Sequence, residues 1–296
     1  HYGTSREMIS STLAIQNCVT DQRAIIHRKV KPHPAIFIQN ARVDCSLTAD
    51  NAEVWIENSH VGQGWKLHSR NIITGVPCNN WNLEVLEGIC IDVVPMGKGG
   101  FVARPYGFND AFKGALSVES TLYQGIPASE WLRMRGLKPE DIRGSHDLQA
   151  AAIFPVCHSV EELGTVMRWM TAEPELNEGR EIWMQAEKKS ADEISAYADL
   201  RKLTAQREEF RKENWKILAE NHEKSVFYQL DLQQAAEEYG RLNLKLPQEL
   251  DEQTPLLTRI ADTMFRARTM QIQGAGTEEV KRMEEKAFAL MRNGLV

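Results

Sequence analysis

From Ala14 to about Thr121 the apolar residues come in short runs cut by Gly, Pro and Asn, a strand-like pattern. Counting in sixes from Phe37 gives Phe37, Val43, Ala49, Trp55, Val61, Leu67 and Ile73, seven apolar residues in unbroken register. Neither the 3.6-residue period of a helix nor the two-residue period of a flat strand makes a repeat of six. A stacked parallel β-helix does, because each short strand turns a side chain into the bore before the chain bends to the next face, at about eighteen residues per coil. Two lines repeat the theme eighteen residues apart, Ile36–Asn40 and Val54–Asn58. Asn at the end of each suits a corner, since its short side chain tolerates left-handed backbone. Ala35, Ala41 and Ser59, two places before register positions, leave room at other corners. An ordinary antiparallel sheet is the competing reading of the same residues.

The pattern then changes. Ser5 and its neighbours cap a first helix, and Gly97–Gly100 forms a turn into Phe101. Pro127 opens a helix that carries Trp131, Leu132 and Met134 and stops at Gly136. Ser159 and Glu162 have the spacing of a capping box, and nearly everything beyond them has helical periodicity. Leu232, Ala235, Ala236, Tyr239 and Leu242 trace one apolar stripe, and Leu257, Ile260, Ala261, Met264 and Phe265 another. The charged stretch Glu187–Leu218 reads as one long solvated helix. The fold class expected is therefore β plus α: a parallel β-helical region over 1–157, then an all-α region over 158–296.

Chemistry is mostly excluded. A net charge of −6 opposes general nucleic-acid binding, and no apolar run has the ~20 residues that span a membrane. Cys18, Cys45, Cys78, Cys90 and Cys157 are scattered without a Cys-x-x-Cys pair, which points to reduced thiols in a cytoplasm. The phosphate-cradling glycine motifs are missing, the histidines fall singly, and His27 and His33 have no second ligand pair at metal spacing. Asp50, Glu53 and Glu57 are too irregularly placed to form the carboxylate cluster of a β-helical hydrolase or lyase. One segment stands out, Arg104–Gly114, where Arg104, Tyr106, Asp110 and Lys113 share a Gly-rich loop with Phe108 and Phe112. Arg and aromatic rings can clamp a sugar or a phosphate. Equally, the loop's aromatics can plug the open end of a β-helix.

Several strings resemble the bifunctional L-fucokinase/fucose-1-phosphate guanylyltransferase (GDP-fucose pyrophosphorylase) family. They are His1–Met8, Trp55–Val61 with Ile73–Pro77, Val102–Gly107, Ala151–Pro155 and Ser225–Leu232. The resemblance implies a central segment, with a guanylyltransferase domain before it and a sugar kinase after it. It implies synthesis of GDP-L-fucose from L-fucose, ATP and GTP, with Mg²⁺ serving the full-length enzyme and no cofactor held by this chain. Neither half's glycine-rich catalytic motif lies within the 296 residues, so no catalytic residue and no metal ligand is carried over. The expected role is a non-catalytic scaffold whose partners are the two flanking catalytic domains. A homo-oligomer contact and internal core are alternative readings of Met264, Phe265, Met283, Phe288 and Met291. A sugar-nucleotide contact through Arg104, Tyr106, Asp110 and Lys113 is the alternative function.

Overall fold

The computed structural model describes residues 5–16, 35–48, 50–220 and 228–294. Ala49, His27 and His33 lie outside the described residues. Nine strands come first: β1 Ile36–Gln39, β2 Arg42–Val43, β3 Val54–Glu57, β4 His60–Val61, β5 Trp65–Leu67, β6 Ile72–Thr74, β7 Leu83–Val85, β8 Ile89–Pro95 and β9 Phe101–Gly107. β1, β3, β6 and β8 stack in parallel as one wall. β2 pairs with β4 and β5 with β7, also in parallel, which is the ladder of a parallel β-solenoid.

The bore is lined by an isoleucine row, Ile38, Ile56, Ile73 and Ile91, all buried and in register on the wall. Val43, Val61 and Leu67 join the same core. Phe37 and Trp55 do not. They stand on the outer side of the wall, ring centroids 3.9 Å apart, in a second cluster with Ile9 and Leu13 of the helix Ser5–Gln16. The coils are not all of one length. Ile36 pairs with Val54 and Ile73 with Ile91, eighteen residues apart, but Trp55 pairs with Ile72, seventeen apart. A strict count of six therefore steps from the outer row to the inner one at that coil.

The corners behave as their residue types require. Asn40 and Asn58 have φ of 45° and 49°, and Gly75 takes the equivalent corner at 69°. A Cβ on Gly75 would lie 2.1 Å from the Val93 carbonyl, so that corner has no room for one. Inside the stack, the fully buried Asn71 donates to the carbonyls of Leu86 and Ile89 and accepts from the His68 N–H. All of its amide hydrogen-bonding groups are thus engaged, as burial demands.

The parallel stack ends in antiparallel pairing. β9 folds back on β8 across the Gly97–Gly100 turn, and the strand Phe154–Cys157 then pairs antiparallel with β9. Ser159 caps the helix Val160–Thr171, its Oγ accepting from the Glu162 N–H at 3.1 Å, while the Glu162 carboxylate accepts from the His158 N–H. The charged stretch is not one helix. It is broken into Ala191–Tyr197 and Leu200–Glu220, after a separate helix Asn177–Gln185, with Ser190 and Glu193 forming a capping box and Asp199 accepting from the first N–H groups of the last helix. Trp131, Trp169 and Trp183 are fully buried, and each indole N–H donates to a backbone carbonyl. Arg135 stacks on Trp131 at 4.4 Å and donates to the carbonyls of Trp169 and Met170 at the end of Val160–Thr171, where the helix dipole is negative. Burial pulls its guanidinium down to about 10.

A first compact unit runs to Phe210, and a second, helical one begins at Arg211. In the second, Tyr228–Arg241, Leu256–Ile272 and Thr277–Gly294 surround Ala235, Ala236, Tyr239, Leu244 and Phe265. Ile260 and Phe265 face inward, whereas Leu257, Met264 and Phe288 are exposed. Arg266 and Asp262 form a buried ion pair at 2.7 Å, and Arg266 also donates to the carbonyls of Pro247 and Gln248.

Candidate functional site

The wall of the solenoid carries two rows on its outer side. Register aligns Phe37 with Trp55, Trp55 with Ile72, and Cys90 with Tyr106, an apolar row covered by Met8, Ile9 and Leu13. Two residues along each strand, Gln39, Glu57, Thr74, Asp92 and Arg104 form a polar row. The rows exist because strand residues two apart share a face. At the closing hairpin the polar row becomes a network. Thr74 Oγ1 donates to Asp92 Oδ1 at 2.6 Å, and Arg104 forms an ion pair with Asp92 Oδ2.

A cavity of about 230 Å³ opens beside this network, lined by Arg104, Tyr106, Asp110 and Phe112. Three of the four loop residues singled out from the sequence thus meet around one space. Lys113, the fourth, is exposed and outside that lining. Each lining residue also has a structural task. Asp110 accepts three backbone N–H groups, from Gly107, Gln124 and Gly125, and so ties the loop to the turn at 124–125. Phe112, at φ 54°, stacks on Phe154 at 5.8 Å and meets Tyr123 edge-on. Tyr106 belongs to the outer apolar cluster, where burial raises its phenol above the ordinary range. Arg104 Nε is buried with no hydrogen-bond partner among the described residues.

Asp92, Tyr123 and Gln124 were not among the residues marked in the sequence. Asp92 had a signal: a hairpin turning at Gly97–Gly100 pairs residues whose numbers sum to 196, which places Asp92 opposite Arg104. Tyr123 and Gln124 had none, since only the folding of the loop brings them near.

Elsewhere His60 and three of the cysteines are locked away. His60 Nδ1 accepts from the Asn79 N–H at 2.9 Å, so its Nε2 carries the proton toward Asp44 and the ring has no free base. Burial pushes the Cys45 thiol up to about 11 and the Cys90 and Cys157 thiols up to about 12, far from a reactive thiolate. Among the described residues no three carboxylates, imidazoles or thiols converge on a metal position. No described helix is long and apolar enough to cross a membrane.

Residues 1–159 match the fucose pyrophosphorylase domain family. The chain belongs to that family. Over 297 aligned positions, the whole of its length, it is 58% identical to the L-fucokinase/L-fucose-1-P guanylyltransferase of Bacteroides fragilis. The chain spans 31% of that relative. The domain match ends where the helix Val160–Thr171 begins, at the point where strands give way to helices.

Proposed function

We propose that the chain is a non-catalytic central segment of a cytoplasmic enzyme that makes GDP-L-fucose from L-fucose, ATP and GTP by way of fucose-1-phosphate. Its solenoid braces the guanylyltransferase half, and its helices orient the kinase half. The observation that carries this reading is that the family match ends at residue 159, where a predominantly helical stretch begins at Val160. The bond from the Asn79 N–H to His60 Nδ1 and the burial of Cys45, Cys90 and Cys157 support a structural role for these residues. Exposed Leu257, Met264 and Phe288 are available to a homo-oligomer contact, which sedimentation of the full-length enzyme would read.

The orienting role is tested by placing a protease site at Glu249–Glu252, between two helices, in the full-length enzyme. Cleavage should slow the coupled conversion of L-fucose to GDP-L-fucose while each half-reaction keeps its own rate. A coupled rate unchanged by cleavage rejects the role.

A second reading is favoured by the cavity alone: Arg104, Tyr106, Asp110 and the nearby Lys113 contact fucose-1-phosphate or GDP-L-fucose. Arg104→Ala in the full-length enzyme should then raise KM for fucose-1-phosphate at unchanged thermal stability. A normal KM removes it.

A further inference from the structure

We propose that Gln206 is a positioning residue, a pin that holds the helix Leu200–Glu220 on two successive coils of the solenoid and so sets the direction in which the chain leaves it. Its bearing on catalysis rests on the orienting role proposed above. Gln206 Nε2 donates to the carbonyls of Asn58 at 2.8 Å and Gly75 at 3.0 Å, 148 and 131 residues away along the chain. These are equivalent corners of neighbouring coils, because Glu57 pairs with Thr74 and the next residue of each line turns at positive φ. Their N–H groups stay in the ladder, donating to the Gln39 and Glu57 carbonyls. Their own carbonyls turn out of it and accept only from Gln206 among the described residues.

A primary amide matches the pitch of the stack. Its two N–H bonds diverge by about 120°, so at these lengths the two acceptors lie about 5 Å apart, close to the ~4.7–4.9 Å between neighbouring strands. A carboxylate in its place would bring no donor to either carbonyl. The start of the helix is fixed separately. Asp199 N–H donates to the Pro95 carbonyl at 2.7 Å and Ala198 bridges to Met96, on the strand that pairs beyond Gly75. Gln206 stands seven residues on, about 10 Å along the helix axis, and meets the two preceding coils. The helix therefore runs back along the corners, toward the first coil. It is held there along one narrow stripe: Leu203 is half-buried and Phe210 buried, whereas Arg201, Lys202, Ala205 and Glu209 are exposed. A helix with so few buried contacts opens easily, so two hydrogen bonds are a large part of its hold.

The test compares Gln206→Met, which keeps length and bulk but loses both donors, with Gln206→Glu, which faces the two carbonyls with a charge, in the full-length enzyme. Hydrogen exchange read by mass spectrometry should speed up about tenfold in peptides covering 200–210 for Gln206→Met, and further for Gln206→Glu. Peptides covering 54–76 should keep the parent's protection, since the corner N–H groups stay in the ladder. Each half-reaction should keep its kcat while the coupled conversion of L-fucose to GDP-L-fucose slows. Parental exchange at 200–210 in both variants overturns the pin and leaves the orienting role standing. Protection lost equally from 54–76 makes Gln206 a brace of the stack itself, which also overturns the proposal. Faster exchange at 200–210 with an unchanged coupled rate removes Gln206 from positioning. The orienting role falls with it only if cleavage at Glu249–Glu252 leaves that rate unchanged too.

Discussion

Gly164→Ala should destabilise the protein, although helix propensity alone favours the change. Gly164 sits inside the helix Val160–Thr171, where alanine would gain roughly 1 kcal/mol over glycine. A Cβ there would lie 2.5 Å from Trp81 Nε1 and 2.6 Å from Cδ1. Reaching an ordinary contact of 3.4 Å requires the indole to retreat by about 0.9 Å. Trp81 cannot retreat freely. It is 6% exposed, stacks on Trp65 at 5.7 Å and donates to the Val160 carbonyl at 2.9 Å. Overpacking costs about 1–3 kcal/mol, and a buried donor left without its acceptor about 1–3 kcal/mol more. These exceed the propensity gain, so the net loss is on the order of 1–5 kcal/mol. Urea unfolding followed by tryptophan fluorescence measures it, as a lower midpoint at constant slope. Combining Gly164→Ala with Trp81→Phe should recover part of the loss, because the two positions touch and their effects do not add. A raised midpoint for Gly164→Ala would refute the reasoning, since it would mean that the indole moves at no cost.

Three further outcomes are expected. Ile56→Ala should cost about 2–5 kcal/mol in the same assay, because the side chain is fully buried between Ile38 and Ile73; a loss near zero would mean that the bore is not packed. Asn58→Val should cost about 1–2 kcal/mol by forcing a branched residue to positive φ, whereas Asn58→Gly should be nearly neutral. At Asp44, burial pushes the carboxyl up, but the bond from His60 and the nearby Arg42 outweigh it and hold it below the ordinary carboxylate range. A depressed folded value stabilises above the unfolded pKa and is lost as pH falls through the folded one. Acid unfolding of Asp44→Asn below about pH 4 should therefore be less steep than that of the parent, and equal slopes would contradict the linkage.

The solenoid was legible because corner chemistry and an eighteen-residue echo survive in the residues themselves. Asn40 and Asn58 stand at left-handed corners, and the lines they end are paired strands. The inward face was only partly legible. The count of six takes Phe37 and Trp55 on the outer side of the wall together with Val43 and Val61 in the core, so all four read as bore residues although the first two face the first helix. The break in the charged stretch was hidden for a different reason. Solvated Glu, Lys and Arg continue through it, and the signals that end one helix and start the next, Ser190 and Asp199, are single side chains. In the candidate site, Arg104, Tyr106 and Asp110 were visible as a chemical cluster along the chain. The ion pair with Asp92 needed the hairpin's register, and the contact of Trp81 with Gly164 needed the tertiary fold.

The central claim, that this segment supports catalysis without supplying a reacting group, is tested most directly by alanine substitution of Asp44, His60, Asp92, Arg104 and Asp110 in the full-length enzyme. For each variant, kcat of both half-reactions would be set beside the unfolding temperature. The account predicts that kcat falls only where the unfolding temperature falls with it. A variant that keeps the parent's unfolding temperature while kcat drops by about 10²–10⁴, the scale of a lost general acid or base, would contradict it.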